Sequence, residues 1–219
     1  MAQLFHPSFN TIGKWLPVGM VLILSAAACA DYLYFGSSWV TGKERFVDQP
    51  VPFSHLHHVR GLGIDCRYCH TTVETSSFAG YPPTKTCITC HSEIFRDAPM
   101  LAPVRDSWRS GMPMRWNRVN NVPGYVFFDH STHVQNGIGC SSCHGNVALM
   151  PMMQQAASLR MAWCLDCHRQ PEKYLRPRDQ IFNTDYQPPK NQLALGTELA
   201  KEHHLLSPQM MQSCSLCHR

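Results

Sequence analysis

No run of lysine or arginine occurs in this chain of 219 residues, and its formal charge is only +4. The basic stripe that follows a phosphate backbone is missing, so no nucleic-acid partner is read from the charge. Room for a regular sheet or bundle is scarce too. The 16 prolines and 13 glycines break the chain into loops and short helices. Spare cysteine is nearly absent: of 11 cysteines, only Cys29 lies outside five close pairs.

Those pairs are all Cys-x-x-Cys-His. They are Cys66-Arg67-Tyr68-Cys69-His70, Cys87-Ile88-Thr89-Cys90-His91, Cys140-Ser141-Ser142-Cys143-His144, Cys164-Leu165-Asp166-Cys167-His168 and Cys214-Ser215-Leu216-Cys217-His218. The pattern is the attachment site of a c-type haem. Two thiols add across the vinyl groups, and the next histidine becomes the proximal iron ligand. Zinc knuckles also use Cys-x-x-Cys, but they need no histidine at the fixed next position. A two-residue gap is a strained loop for a structural disulfide. Five covalently bound c-type haems are therefore expected.

Beyond an apolar N-terminal segment, roughly 180 residues remain, under about 40 per haem and far below an ordinary domain. The porphyrins must form much of the core. The expected fold is a multihaem cytochrome c, mostly irregular with short α-helices packed around five haems, plus one N-terminal transmembrane helix. Haem also changes the charge of +4. About ten propionates, offset by about five ferric ring charges, bring the oxidised holoprotein to ~−1. Covalent haem attachment places the domain outside the bacterial inner membrane, where these thiols are consumed rather than kept free.

Trp15 to Ala30 carries no charge, and YLYFGSSWV extends the apolar run to Val40. A helix crossing Asp31 reaches the ~20 residues that a span needs. Trp15 at one end and Tyr32, Tyr34 and Trp39 at the other form an aromatic belt, and Lys14 favours the N-terminus inside. Ala26-Ala27-Ala28 offers a competing reading as a signal-peptide cleavage site. The retained single-pass anchor, with the haem domain periplasmic, is the expectation.

Phe53-Ser54-His55-Leu56-His57-His58-Val59 precedes Cys66, and Phe128-Asp129-His130-Ser131-Thr132-His133-Val134 precedes Cys140. Both read Phe-x-His-x-x-His-Val, then a glycine-containing turn, then two haem motifs. The gap from the second histidine to the first cysteine differs by one residue. The resulting organisation is an anchor at 1–40, a first diheme module at 41–100, a linker at 101–127 and a second diheme module at 128–170. An extended arm with the fifth-haem segment follows at 171–219. In the linker, Arg105, Arg109, Arg115 and Arg118 are either propionate ligands or ordinary solvated charges.

Beyond the proximal histidines and His6, seven remain: His55, His57, His58, His130, His133, His203 and His204. Two histidines three apart share one face of a helical turn, so each can serve a different haem of a close pair. Resemblance to cytochrome c7-type modules implies the order. His55 then faces the haem of His70 and His58 that of His91. His130 faces that of His144 and His133 that of His168. His203 or His204 is left for the haem of His218, with Met210 and Met211 as alternatives, and His57 is read as a non-ligand.

The stretches PVPFSHLHHVRGLGIDCRYCH, GYPPTKTCITCHSEIF, VFFDHSTHVQNGIGCSSCHGNVALMP and RMAWCLDCHRQPEKYLRP together resemble the membrane-anchored pentahaem cytochrome c subunit of alternative complex III. That resemblance implies an electron-transfer subunit, not an enzyme in itself, within a quinol-oxidising respiratory or photosynthetic complex. Its implied partners are an iron–sulfur subunit related to molybdopterin oxidoreductases, polytopic quinol-binding subunits and a monohaem cytochrome c. Electrons would pass from the iron–sulfur subunit to a cytochrome c, a cupredoxin or a terminal oxidase. The alternative is a single-anchor multihaem quinol dehydrogenase linked to nitrite or nitrate reductase. That family tends to place a methionine ligand after its first motif, where this chain has Thr71-Thr72.

Overall fold

A computed structural model describes residues 5–218. The chain divides into two units, Met1–Gly42 and Lys43–Arg219. In the first, helix α1 spans Ser8–Gly36, and a single turn, α2, spans Ser38–Thr41. Ser37 ends α1 in an extended conformation, and its hydroxyl donates to the Tyr34 carbonyl at 2.6 Å. Gly42 closes α2 at φ 73°, a left-handed cap that glycine adopts without strain. With 29 residues, α1 is about 43 Å long, more than the ~30 Å hydrocarbon core of a bilayer. Its best window has a mean hydropathy of 1.8, and none of its side chains is buried. It is long and apolar enough to be a membrane anchor or a signal sequence.

The second unit is helical. Among the described residues, β structure is limited to isolated bridges such as Val126 with His218 and Ile138 with Leu175. Its helices are α3 (Cys66–Cys69), α4 (Thr84–His91), α5 (Ala102–Ser110), α6 (His130–Gln135), α7 (Cys140–His144), α8 (Met161–Arg169), α9 (Gln192–Glu202), α10 (Pro208–Met211) and α11 (Cys214–Cys217). Every Cys-x-x-Cys pair lies on one of them. Cysteines three apart on a helical turn share a face, as attachment to one ring edge requires.

Helix starts are set by short polar caps. Asp65 accepts from the Arg67 amide at 2.8 Å, and Asp129 from the Thr132 amide at 3.2 Å. The two repeats differ locally. The second forms the α-helix α6, whereas the first winds into a π-helical turn over Leu56–Gly61. A π-turn absorbs one extra residue. It takes up the one-residue difference in spacing, so that Gly63 (φ 69°) and Gly137 (φ 86°) still close the two turns.

Apolar burial is sparse. One cluster joins Val51, Leu101 and Val104, with Ile88 of α4 and Trp116 packed against it. Another joins Val73, Val134 and Ile181, and so ties the loop after α3 to α6. Among the described residues, Leu175 is the one large side chain that is almost fully enclosed, at 1% exposure. Meanwhile Tyr68, Phe78, Ile94, Phe95, Phe127 and Leu216, on or beside the motifs and their leads, are exposed. Helix α9 is held by backbone proximity: Gly196 lies so close to Glu172 that a Cβ would sit 1.9 Å from its carbonyl oxygen.

Candidate haem centres

Each repeat aims two imidazoles in different directions from one turn. The ring of His58 faces that of His91 at 6.2 Å between centroids. His130 faces His144 at 6.3 Å, and His133 faces His168 at 6.3 Å. Two imidazoles bound to opposite sides of one metal, with bonds of about 2 Å, place their centroids about 6.3 Å apart. The interplanar angles are 63°, 5° and 34° respectively.

Hydrogen bonds from Nδ1 to backbone carbonyls fix the tautomers. Nδ1 of His58 donates to the Ser54 carbonyl at 2.8 Å, and Nδ1 of His133 to that of Asp129 at 2.7 Å, which are equivalent bonds in the two repeats. Those of His70, His91, His130 and His168 donate to the carbonyls of Gly80, Ile94, Ser77 and Met211 at 2.7–2.9 Å. A carbonyl only accepts, so Nδ1 carries the proton and Nε2 keeps its lone pair for a metal. Burial, with the nearby His70, His58 and His144, pushes His55 down to about 4. Burial likewise lowers His144 to about 4, helped by His130 and His70. Both rings are neutral at pH 7, the form that ligates iron. Nδ1 of His55 is buried without a hydrogen-bond partner, a polar atom that the protein alone leaves unsatisfied.

The phenylalanines of the repeat have a role that sequence reasoning did not assign. Phe53 stacks on His58 at 4.4 Å and 26°, and meets His55 edge-on at 4.9 Å and 88°. Phe128 does the same to His133 at 4.6 Å and 25°, and to His130 at 4.7 Å and 90°. One ring thus sets the rotation of both imidazoles in its turn. The signal was the repeat itself, Phe at a fixed distance before each histidine pair.

The fifth motif is placed differently. Cys217 accepts from the Phe127 amide at 2.7 Å, and the His218 ring meets Tyr125 at 5.8 Å. His203 turns toward Gly137, and its Nδ1 takes a hydrogen bond from Arg178 at 3.4 Å. His204 is exposed, with φ 51°. His57 is exposed as well. In the linker, Arg105 donates to the carbonyls of Arg96 and Ala98, Arg109 pairs with Asp106 at 3.6 Å, and Arg118 donates to Asn121.

Arg176, which sequence reasoning missed, is 5% exposed beneath the third motif. Its guanidinium donates to the hydroxyls of Ser141 and Ser142 and to the carbonyl of Asn183, and lies over the Tyr186 ring at 4.6 Å. Gly139 makes room for it, since a Cβ there would sit 2.2 Å from the guanidinium carbon. An open cavity of about 340 Å³ adjoins this motif, lined by Ser141, Ser142, Cys143, Ala156, Ser158 and Trp163.

The donor set fits haem. Burial pushes the thiols of Cys140 and Cys143 up to about 11 and that of Cys167 to about 12, so the free side chains are uncharged at pH 7. Thioether bonds to a porphyrin leave these sulfurs uncharged. Among the described residues, no group of three or more His, Cys, Asp or Glu converges as a closed ion site would.

Residues 126–219 match the family of cytochrome c7 and related cytochrome c. The chain is 39% identical over 98 residues to the multiheme cytochrome c subunit of menaquinone reductase from Nitratidesulfovibrio vulgaris, a match covering 44% of this chain and 46% of that protein. It is 35% identical over 68 residues to cytochrome c-552 from Desulfotalea psychrophila, covering 26% of this chain and 12% of that protein. It therefore spans less than half the length of these curated relatives. Helical Cys-x-x-Cys-His turns, imidazoles facing across a metal's width and the family match together give residues 126–219 the character of a cytochrome c7-type multihaem domain, in a chain with homology to a menaquinone reductase subunit.

Proposed function

We propose that this chain relays electrons within a quinone-active membrane complex, carrying five c-type haems and held by α1 on the outer side of the bacterial inner membrane. The observation that carries the reading is the set of facing imidazole pairs at 6.2–6.3 Å. Closed coordination of this kind suits electron transfer rather than substrate binding at iron. When bound, each haem supplies a one-electron Fe(III)/Fe(II) couple. The chain does the rest: cysteines tether, Nε2 atoms ligate, and carbonyls hold the Nδ1 protons so that electrons move without protons.

The ligand pairs are His55 with His70, His58 with His91, His130 with His144, and His133 with His168. For His218 the ligand is His203 or His204: His203 is part-buried, with Nδ1 3.4 Å from Arg178 and Nε2 buried without a hydrogen-bond partner, whereas His204 is exposed.

The finer reading is the pentahaem subunit of alternative complex III, supported by the interleaved sequence segments. Its partners would be an iron–sulfur subunit, polytopic quinol-binding subunits and a monohaem cytochrome c. A second reading is favoured by the relative that is a menaquinone reductase subunit: the same relay, with electrons running toward quinone. A single-anchor quinol dehydrogenase would need this chain to enclose the quinol itself. One membrane helix gives little enclosure, and Asp31 is the only carboxylate in α1. The test is reduction of the purified full chain by a menaquinol analogue, alone and in its native complex. Slow reduction alone and fast reduction in the complex support a relay in a quinol-oxidising complex. Fast, saturable, inhibitor-sensitive reduction of the single chain overturns it.

A further inference from the structure

We propose that the five attachment sites lie in single file in the order second, first, third, fourth, fifth, so that the sites of His91 and His218 are the two ends at which electrons enter and leave. The order differs from the order along the chain. It rests on the haem reading above and on contacts between segments.

The second and first sites are joined because His55 and His58 leave one turn, His58 facing His91 of the second motif. The first and third are joined across the two modules. His130, which faces His144 of the third motif, is held by the loop after the first motif: its Nδ1 donates to the Ser77 carbonyl at 2.9 Å. In the same contact the Ser131 amide donates to Ser76, and Gln135 donates to Glu74 at 2.8 Å. Arg67 of the first motif lies over Phe182 at 4.5 Å, and the adjacent Ile181 carbonyl accepts from the Cys140 amide.

Third and fourth are joined by the turn of α6, since His130 faces His144 and His133 faces His168. Fourth and fifth are joined through α8 and α10. His168 donates to Met211 at 2.9 Å and Arg169 to Gln212 at 3.1 Å, just before Cys214. At the other extreme, α4 with the second motif packs on α5 and the linker cluster of Leu101, Val104 and Trp116.

Haem bound at these sites would supply one-electron couples, and Nδ1 of His58, His91, His130, His133 and His168 would keep its proton, donated to a carbonyl. A file has only two ends, so the donor docks near one and the acceptor near the other.

The experiment is an anomalous difference map at the iron edge from crystals of the full haem-loaded chain in detergent. The expected result is five iron peaks whose nearest-neighbour graph runs from His91 through His70, His144 and His168 to His218. Five peaks in which the irons of His91 and His218 are neighbours, or in which His70 and His144 are not, overturn the file and leave the haem reading standing. Fewer than five irons overturn the haem reading itself, and the file with it.

Discussion

Replacing Gly196 with alanine tests how the C-terminal segment is held. The added Cβ would lie 1.9 Å from the Glu172 carbonyl oxygen, 2.6 Å from its carbon and 2.7 Å from its Cα. All three are backbone atoms, so no flexible side chain can yield. Ordinary contact needs about 3.4 Å or more, so α9 must move off the Pro171–Lys173 turn by over about 1 Å. That movement breaks two bonds from Nε2 of the Gln192 side chain, to the carbonyls of Glu172 at 2.9 Å and Leu175 at 2.8 Å, and opens the site around Leu175 and Leu199. Overpacking costs about 1–3 kcal/mol, and a backbone clash belongs at the upper end. At about 2–4 °C per kcal/mol for a unit of this size, the apparent Tm should fall by about 6–12 °C. Far-UV circular dichroism of the haem-loaded full chain, melted beside the wild type, gives the number. A fall under about 2 °C would refute the close packing of α9 on this turn.

His133→Met should raise the potential of one haem and leave the others nearly unchanged, since a thioether donates less to ferric iron; a redox titration followed in the Soret band checks it. Phe128→Leu should leave both ligands bound but loosen their rotation, broadening the low-spin electron paramagnetic resonance signals of two haems and sparing those of the first module. Arg176→Met removes a buried cation beside Cys140 and Cys143, so the haem there should become harder to reduce, read as a lower potential for that haem alone. Asp185 accepts hydrogen bonds from Arg60 and Asn146, which hold its carboxyl below the usual carboxylate range. A depressed carboxylate pKa stabilises the fold above the unfolded value and loses that contribution as pH falls through the folded one. The tie between the π-helical turn and the loop after the third motif should therefore weaken only below about pH 4. Asp185→Asn should abolish that acid step in a pH titration of stability.

Much of the candidate site was legible because the Cys-x-x-Cys-His pattern is local in the chain. The Cys-x-x-Cys-His spacing demands one helical turn, and each motif lies on one. The repeat Phe-x-His-x-x-His-Val pointed to paired histidines because residues three apart share a face. Three of the facing pairs expected from it are brought together at a metal's width. The π-helical turn at Leu56–Gly61 was visible only as a one-residue spacing difference, since local propensity does not distinguish it from an α-turn. Arg176 was not legible at all. Its burial depends on Gly139, Ser141, Ser142 and Tyr186, which come together only after folding. The surroundings of His203 escaped for the same reason, because Arg178 and Gly137 reach it from distant parts of the chain. The sequence left the linker arginines open between propionate ligands and solvated charges, and Arg105 donates to the carbonyls of Arg96 and Ala98, contacts made only after folding.

The central claim is closed, bis-histidine coordination in a pentahaem relay, and ferric electron paramagnetic resonance with a haem count tests it most directly. The full chain should carry five haems, one for each Cys-x-x-Cys-His motif. Its ferric spectrum should be low-spin for at least the four haems of the two repeats. Their signals should differ with ligand-plane angle, the near-parallel pair His130 and His144 at 5° giving a rhombic signal and the 63° pair His58 and His91 a more axial one. A ferric spectrum dominated by high-spin haem in the intact protein would contradict the account.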